Sequence, residues 1–61
     1  MPIVTVKFLE GRSDEQKRAL VERVTEAVAE TIQANPEKIH VVLEEMRKDH
    51  YGVAGKRISD Q

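Results

Sequence analysis

The stretch IVTVKFLEGRSDEQ, residues 3–16, decides the fold. Its first half, Ile3 to Leu9, is rich in β-branched and aromatic residues and reads as a strand. Alternation puts Val4, Val6 and Phe8 on one face and Ile3, Thr5, Lys7 and Leu9 on the other. Gly11 breaks this pattern. Ser13 then suits a helix N-cap, and Gln16 three residues later completes a capping box. Asp14 and Glu15 put negative charge in the first turn, where the helix dipole favours it.

From there to about Gln33 the spacing is helical. Leu20, Val21, Val24, Ala27, Val28 and Ile32 recur at steps of three and four, while Lys17, Arg18, Glu22, Arg23, Glu26 and Glu30 fill a polar side. Asp14–Arg18 and Arg18–Glu22 are spaced for helical ion pairs. Asn35-Pro36 ends the helix, because the residue before proline is disfavoured in helical conformation. IHVVLEEM, Ile39 to Met46, reads as a second strand, with Ile39, Val41 and Leu43 opposite His40, Val42, Glu44 and Met46. The expected fold is therefore α/β: one β-α-β unit, a parallel strand pair joined by a right-handed crossover. The remainder, RKDHYGVAGKRISDQ, is expected to form a short C-terminal hairpin or loop with a frayed end.

With 61 residues the chain is expected to be a single domain over residues 1–61. A domain of this size buries only about 60% of its unfolded surface. Such domains usually need disulfides, a metal or self-association. There is no cysteine, and His40 and His50 lack metal-ligand spacing, so no metal is expected and self-association remains. The helix is expected to cover the Val4/Val6/Phe8 and Ile39/Val41/Leu43 face, with a Lys7–Glu44 pair on the other. That second face and the strand edges need partners. The net charge of −1, with both signs interleaved, offers no footprint for nucleic acid or an anionic membrane. No apolar run approaches a membrane span, no secretory pattern opens the chain, and a cytoplasmic location is expected.

Chemically capable residues are few. Most carboxylates lie on the polar helix face and suit solvated surface. His40, mid-strand on the less apolar face, fits a structural or interface role at least as well as a chemical one. Arg12, at the strand–helix junction, is either a surface arginine or a guanidinium reaching into a cleft to bind a carboxylate. Pro2 is tolerated at the start of a strand, where no ladder donor is required. If Met1 is removed, Pro2 instead carries a secondary amine. An apolar pocket and a cation such as Arg12 would lower its basicity from the usual 7.7–8.0 or so, leaving a free base at neutral pH. That reading places the Pro2 nitrogen in a pocket beside Arg12.

PIVTVKFLEGRSDEQKRALVERV followed by VVLEEMRKDHYGVAGK resembles the 4-oxalocrotonate tautomerase family, in its short 2-hydroxymuconate tautomerase branch, over essentially the whole chain. The resemblance implies a β-α-β fold with a C-terminal hairpin, assembled as a homohexamer (a trimer of dimers). It implies a cofactor-free 1,3-proton shift in an enol or dienol acid, with a small dicarboxylate or enol acid as substrate. By the same resemblance Pro2 is the catalytic base, Arg12 binds the far carboxylate, Tyr51 shapes an apolar pocket, and the backbone at Leu9 contributes to the site. His40 stands where highly active members carry a second arginine that binds carboxylate and polarises the 2-oxo group. A histidine is shorter and not bidentate, so weaker electrophilic assistance is expected. Two other readings stay open: a dehalogenase or decarboxylase of small unsaturated acids, for which Glu44 or Glu45 would activate water, and an oligomeric scaffold with residual activity.

Overall fold

The computed structural model describes residues 1–61. Strand β1 (Ile3–Leu9), helix α1 (Asp14–Ile32) and strand β2 (His40–Met46) follow in that order, with β1 and β2 parallel. Their register runs from Ile3 opposite His40 to Leu9 opposite Met46. A miniature antiparallel pair, β3 (Gly52–Val53) and β4 (Lys56–Arg57), closes the chain.

Local chemistry sets the boundaries. The Ser13 Oγ accepts from the Gln16 N–H at 3.1 Å, and the Gln16 Oε1 accepts from the Ser13 N–H at 3.0 Å, so the capping box forms. Arg18 pairs with Asp14 at 3.0 Å, and no Arg18–Glu22 pair accompanies it. At the other end α1 stops at Gln33, which adopts a left-handed φ of 58° while its N–H and that of Ala34 both donate to the Ala29 carbonyl. The stop thus falls before Asn35-Pro36. Asn35 instead caps a 3-10 turn, Pro36–Lys38, by accepting from the Glu37 N–H at 3.0 Å. That turn takes up Ile39 as its cap, so β2 begins one residue later than its β-branched pattern suggests.

The helix lies over the Val4/Val6/Phe8 and Ile39/Val41/Leu43 face, as the alternation leads one to expect, and runs closer to β2 than to β1. Ile39 alone is fully buried, at 8% exposure. Val4, Val6 and Phe8 on β1 and Val41 and Leu43 on β2 are alike half-buried. On the opposite face Ile3 and Val42 are exposed, and Lys7 reaches Glu44 at 3.6 Å. The molecule is a plate of 43 × 24 × 14 Å with a radius of gyration of 14.6 Å. A compact chain of this length would have about 10.5 Å. One chain alone has faces without an interior.

The tail is more ordered than a frayed end. Arg47 clamps Asp49 bidentately, Nε to Oδ1 at 3.0 Å and Nη2 to Oδ2 at 2.8 Å, across a 3-10 turn at Lys48–His50. The β3–β4 turn places Ala54 at φ 53° and Gly55 at φ 84°, the mirror-image turn that matches strand twist. A last 3-10 turn, Ile58–Asp60, is held by Arg57 against Asp60 at 2.9 Å. Ala54 bears a Cβ in a conformation that suits glycine or asparagine. Ala54→Asn is expected to stabilise the hairpin by about 0.5–1 kcal/mol, read as a raised urea midpoint.

Asp49 also sets a pH dependence. Desolvation pushes its carboxyl up, but the Arg47 hydrogen bonds, the Arg47 and His50 charges and a backbone hydrogen bond outweigh this and hold it below the ordinary 3.8. A depressed carboxyl contributes stability that is complete above the unfolded value and lost as pH falls through the folded one. Amide exchange at His50, whose N–H donates to the Arg47 carbonyl, is therefore expected to stay flat from neutral pH to about pH 4, after allowance for intrinsic rates, and to lose protection below it. Asp49→Asn is expected to abolish that step.

Candidate active site

β1 has a chemical polarity. At its start the Pro2 carbonyl accepts from the His40 N–H at 3.0 Å, so the two chain segments carrying Pro2 and His40 are joined directly. At its end the Glu10 N–H donates to the Met46 carbonyl at 2.8 Å, and a Glu10 carboxylate oxygen accepts from the Lys48 N–H at 3.1 Å. Glu10 thereby ties the end of β1 to the turn that delivers Tyr51. The Tyr51 carbonyl in turn accepts from the Ile58 N–H at 2.9 Å, which anchors it to the C-terminal turn. Leu9, Arg12 and Tyr51 thus belong to one end of the sheet, and Pro2 and His40 to the other.

Seven strand residues at roughly 3.3 Å each separate these ends by about 20 Å. Within one chain Pro2 therefore does not lie beside Arg12. Pro2 lines a shallow apolar groove with Val4, Ala27, Val28, Thr31 and Ile32. Arg12 lines a separate cavity of about 250 Å3 with Val6, Phe8, Gln16, Lys17 and Leu20. Both hollows lie between the inner face of β1 and α1.

The Arg12 cavity has an apolar floor of Val6, Phe8 and Leu20. Arg18, Arg47 and Arg57 each have an aspartate partner, whereas Arg12 has none although it faces a cavity. An unpaired guanidinium over apolar surface is suited to an anion with a hydrocarbon body. Lys17 also lines the cavity, its Nζ 2.9 Å from the Glu45 carboxylate. Sequence spacing assigns Lys17 to the solvated helix side and Gln16 to the cap alone. The missed signal is the β1–β2 register, which sets Phe8 opposite Glu45. His40 and Tyr51 are both exposed, and no single chain gathers all five candidate residues.

Comparison with known proteins fits this architecture. The family model described as tautomerase enzyme matches residues 2–61. A 2-hydroxymuconate tautomerase from Bacillus subtilis is 75% identical over 60 residues, covering 98% of this chain and 97% of that protein. A crystal structure of a 4-oxalocrotonate tautomerase homologue superposes with a TM-score of 0.93 at 73% identity, covering 98% of each chain. A heterohexameric 4-oxalocrotonate tautomerase from Chloroflexus aurantiacus superposes with a TM-score of 0.89 at 27% identity, covering 98% of this chain and 97% of that one. The β-α-β plate with its closing hairpin is the fold of these enzymes, and the chain belongs to the tautomerase family as a homologue of 2-hydroxymuconate tautomerase.

Proposed function

We propose that the chain ketonises dienol acids of the 2-hydroxymuconate type in a site completed by a second subunit, with the Pro2 amine as base. The observation that carries the reading is Arg12, an unpaired guanidinium at an apolar cavity some 20 Å from the proline. Association about a two-fold axis through the free edge of β1 sets two β1 strands antiparallel. It lays the Pro2 end of one chain beside the Leu9–Arg12 end of the other. Each such pair has two equivalent sites, and trimerisation of pairs into a homohexamer would cover the exposed Ile3 and Val42 face. The heterohexameric relative supports an assembly of that order.

With the Met1–Pro2 bond cleaved, the Pro2 amine takes the proton of the substrate's 2-hydroxyl. The O–H electrons form the new C2 carbonyl, the double bonds shift along the chain, and carbon 5 accepts the proton back from Pro2. The base is regenerated, and no other reactant is consumed. Arg12 holds the distal carboxylate, while Tyr51 and the Leu9 backbone border the apolar path. His40, joined through its N–H to the Pro2 carbonyl, belongs at the 2-hydroxyl end. It supplies a weaker donor than arginine to the oxygen on which charge develops. Glu44 and Glu45 are each engaged by a lysine, which does not favour a role in activating water for dehalogenation or decarboxylation. A cytoplasmic location belongs to the same proposal and rests on the sequence pattern.

His40→Arg is expected to raise kcat on 2-hydroxymuconate by up to about a hundredfold, the value of one well-placed charged donor. Stopped-flow absorbance of the conjugated ketone checks this, and an unchanged kcat removes His40 from the carbonyl-polarising position. Pro2→Ala and Arg12→Ala are each expected to lose most activity. Refolded together at equal amounts they should regain about a quarter of wild-type sites, because half of the random pairs are mixed and each mixed pair has one intact site. No recovery would place both residues in one chain's site. A wild-type protein that lacks Met1, as verified by intact mass, and still does not accelerate ketonisation above buffer would be an oligomeric scaffold.

A further inference from the structure

The rim of the Arg12 cavity presents hydrogen-bond donors beyond Arg12 itself. The capping box fixes the Gln16 amide: its Oε1 is taken by the Ser13 N–H at 3.0 Å, so the end left over is the amino group, with two donors. Lys17 spends one of its three donors on Glu45 at 2.9 Å and keeps two. The Lys17–Glu45 pair differs from its neighbour across the sheet. Lys7–Glu44 is longer, at 3.6 Å, and more open, at 67% and 54% side-chain exposure. Lys17 and Glu45 are 32% and 38% exposed, and Lys17 lines the cavity. Glu45, set opposite the cavity residue Phe8 by strand register, therefore fixes the ammonium of a side chain that lines the hollow, while offsetting part of its charge. Counting Arg12 and Lys17 against Glu45, the rim carries one net positive charge above a floor of Val6, Phe8 and Leu20.

We propose that Lys17 is a specificity-determining residue: with the Gln16 amino group it joins Arg12 in binding the distal carboxylate of a small diacid, and Glu45 sets the strength of that grip. The assignment rests on the tautomerase reading for the identity of the diacid, and on the cavity alone for its charge. A single guanidinium binds one face of a carboxylate and leaves further lone pairs open. Lys17 and Gln16 supply donors for those lone pairs, and the apolar floor receives the hydrocarbon chain. The cavity thus favours substrates that carry a carboxylate at the end remote from the reacting carbons.

The test combines binding and kinetics on the assembled protein lacking Met1. Adipate, a saturated six-carbon diacid, is titrated calorimetrically into wild type, Lys17→Met and Glu45→Gln. Lys17→Met is expected to weaken adipate about tenfold, one charged hydrogen bond's worth, and Lys17→Arg to restore it. Glu45→Gln is expected to tighten adipate a few-fold, since it keeps a hydrogen-bond partner for Lys17 and removes the opposing charge. A general loosening of the fold cannot give these opposite signs. In turnover, Lys17→Met should raise KM for 2-hydroxymuconate with kcat within about twofold, and leave KM unchanged for 2-hydroxy-2,4-pentadienoate, which lacks the distal carboxylate. Absence of adipate binding to wild type, unchanged affinity in Lys17→Met, weaker affinity in Glu45→Gln, or equal KM effects on both substrates would overturn the proposal. The calorimetric pattern without any turnover would support the carboxylate site and refute the tautomerase reading instead.

Discussion

One nineteen-residue helix over a two-stranded sheet leaves the inner face of both strands only half-buried and the outer face bare, and the rest of the structure depends on that shortfall. The one buried side chain is Ile39, at the entry to β2. β1 is left with Val4, Val6 and Phe8 half-open on its inner face, Ile3 exposed on its outer face, and one edge without a ladder partner. In the proposed assembly a second copy related by a two-fold axis would supply an edge and a cover together, and the ends of β1 would become walls of a shared site.

Strand direction divides the chemistry. Parallel pairing collects Pro2 and His40 at one end, while Gly11, Arg12 and the clamped turn before Tyr51 collect at the other. Neither end alone holds both the proposed base and the proposed anion-binding group. The division also separates charges by task. Arg18, Arg47 and Arg57 are spent on local aspartates that hold helix and hairpin in place, whereas Arg12 is left free at an apolar hollow. Surface pairs of that kind contribute little stability each, so their value lies in fixing geometry.

Much of this was legible in residue pattern. Strand alternation in IVTVKFL, the Ser13–Gln16 capping box and the Lys7–Glu44 pair are local or single-register features, and each is found where the pattern puts it. Tertiary placement was not legible in the same way. Periodicity says which side of α1 is apolar, but not that the helix runs closer to β2 than to β1. The helix stop is carried by Gln33 in a left-handed conformation, which its side chain does not announce. Proximity in sequence suggested a pocket shared by Pro2 and Arg12, and an extended strand between them forbids it within one chain. Lys17 looked like solvent-facing polarity because its partner, Glu45, is set by strand register.

In the proposed mechanism Pro2, freed of Met1 and enclosed by assembly, is a neutral amine where the reaction needs a base. Nitrogen-15 NMR titration of the Pro2 nitrogen in the assembled protein measures this directly. The midpoint is expected clearly below the roughly 7.7–8.0 of an ordinary α-amino group, because an apolar enclosure and the Arg12 guanidinium of a neighbouring subunit would both disfavour the charged form. A midpoint at or above that range would contradict the mechanism.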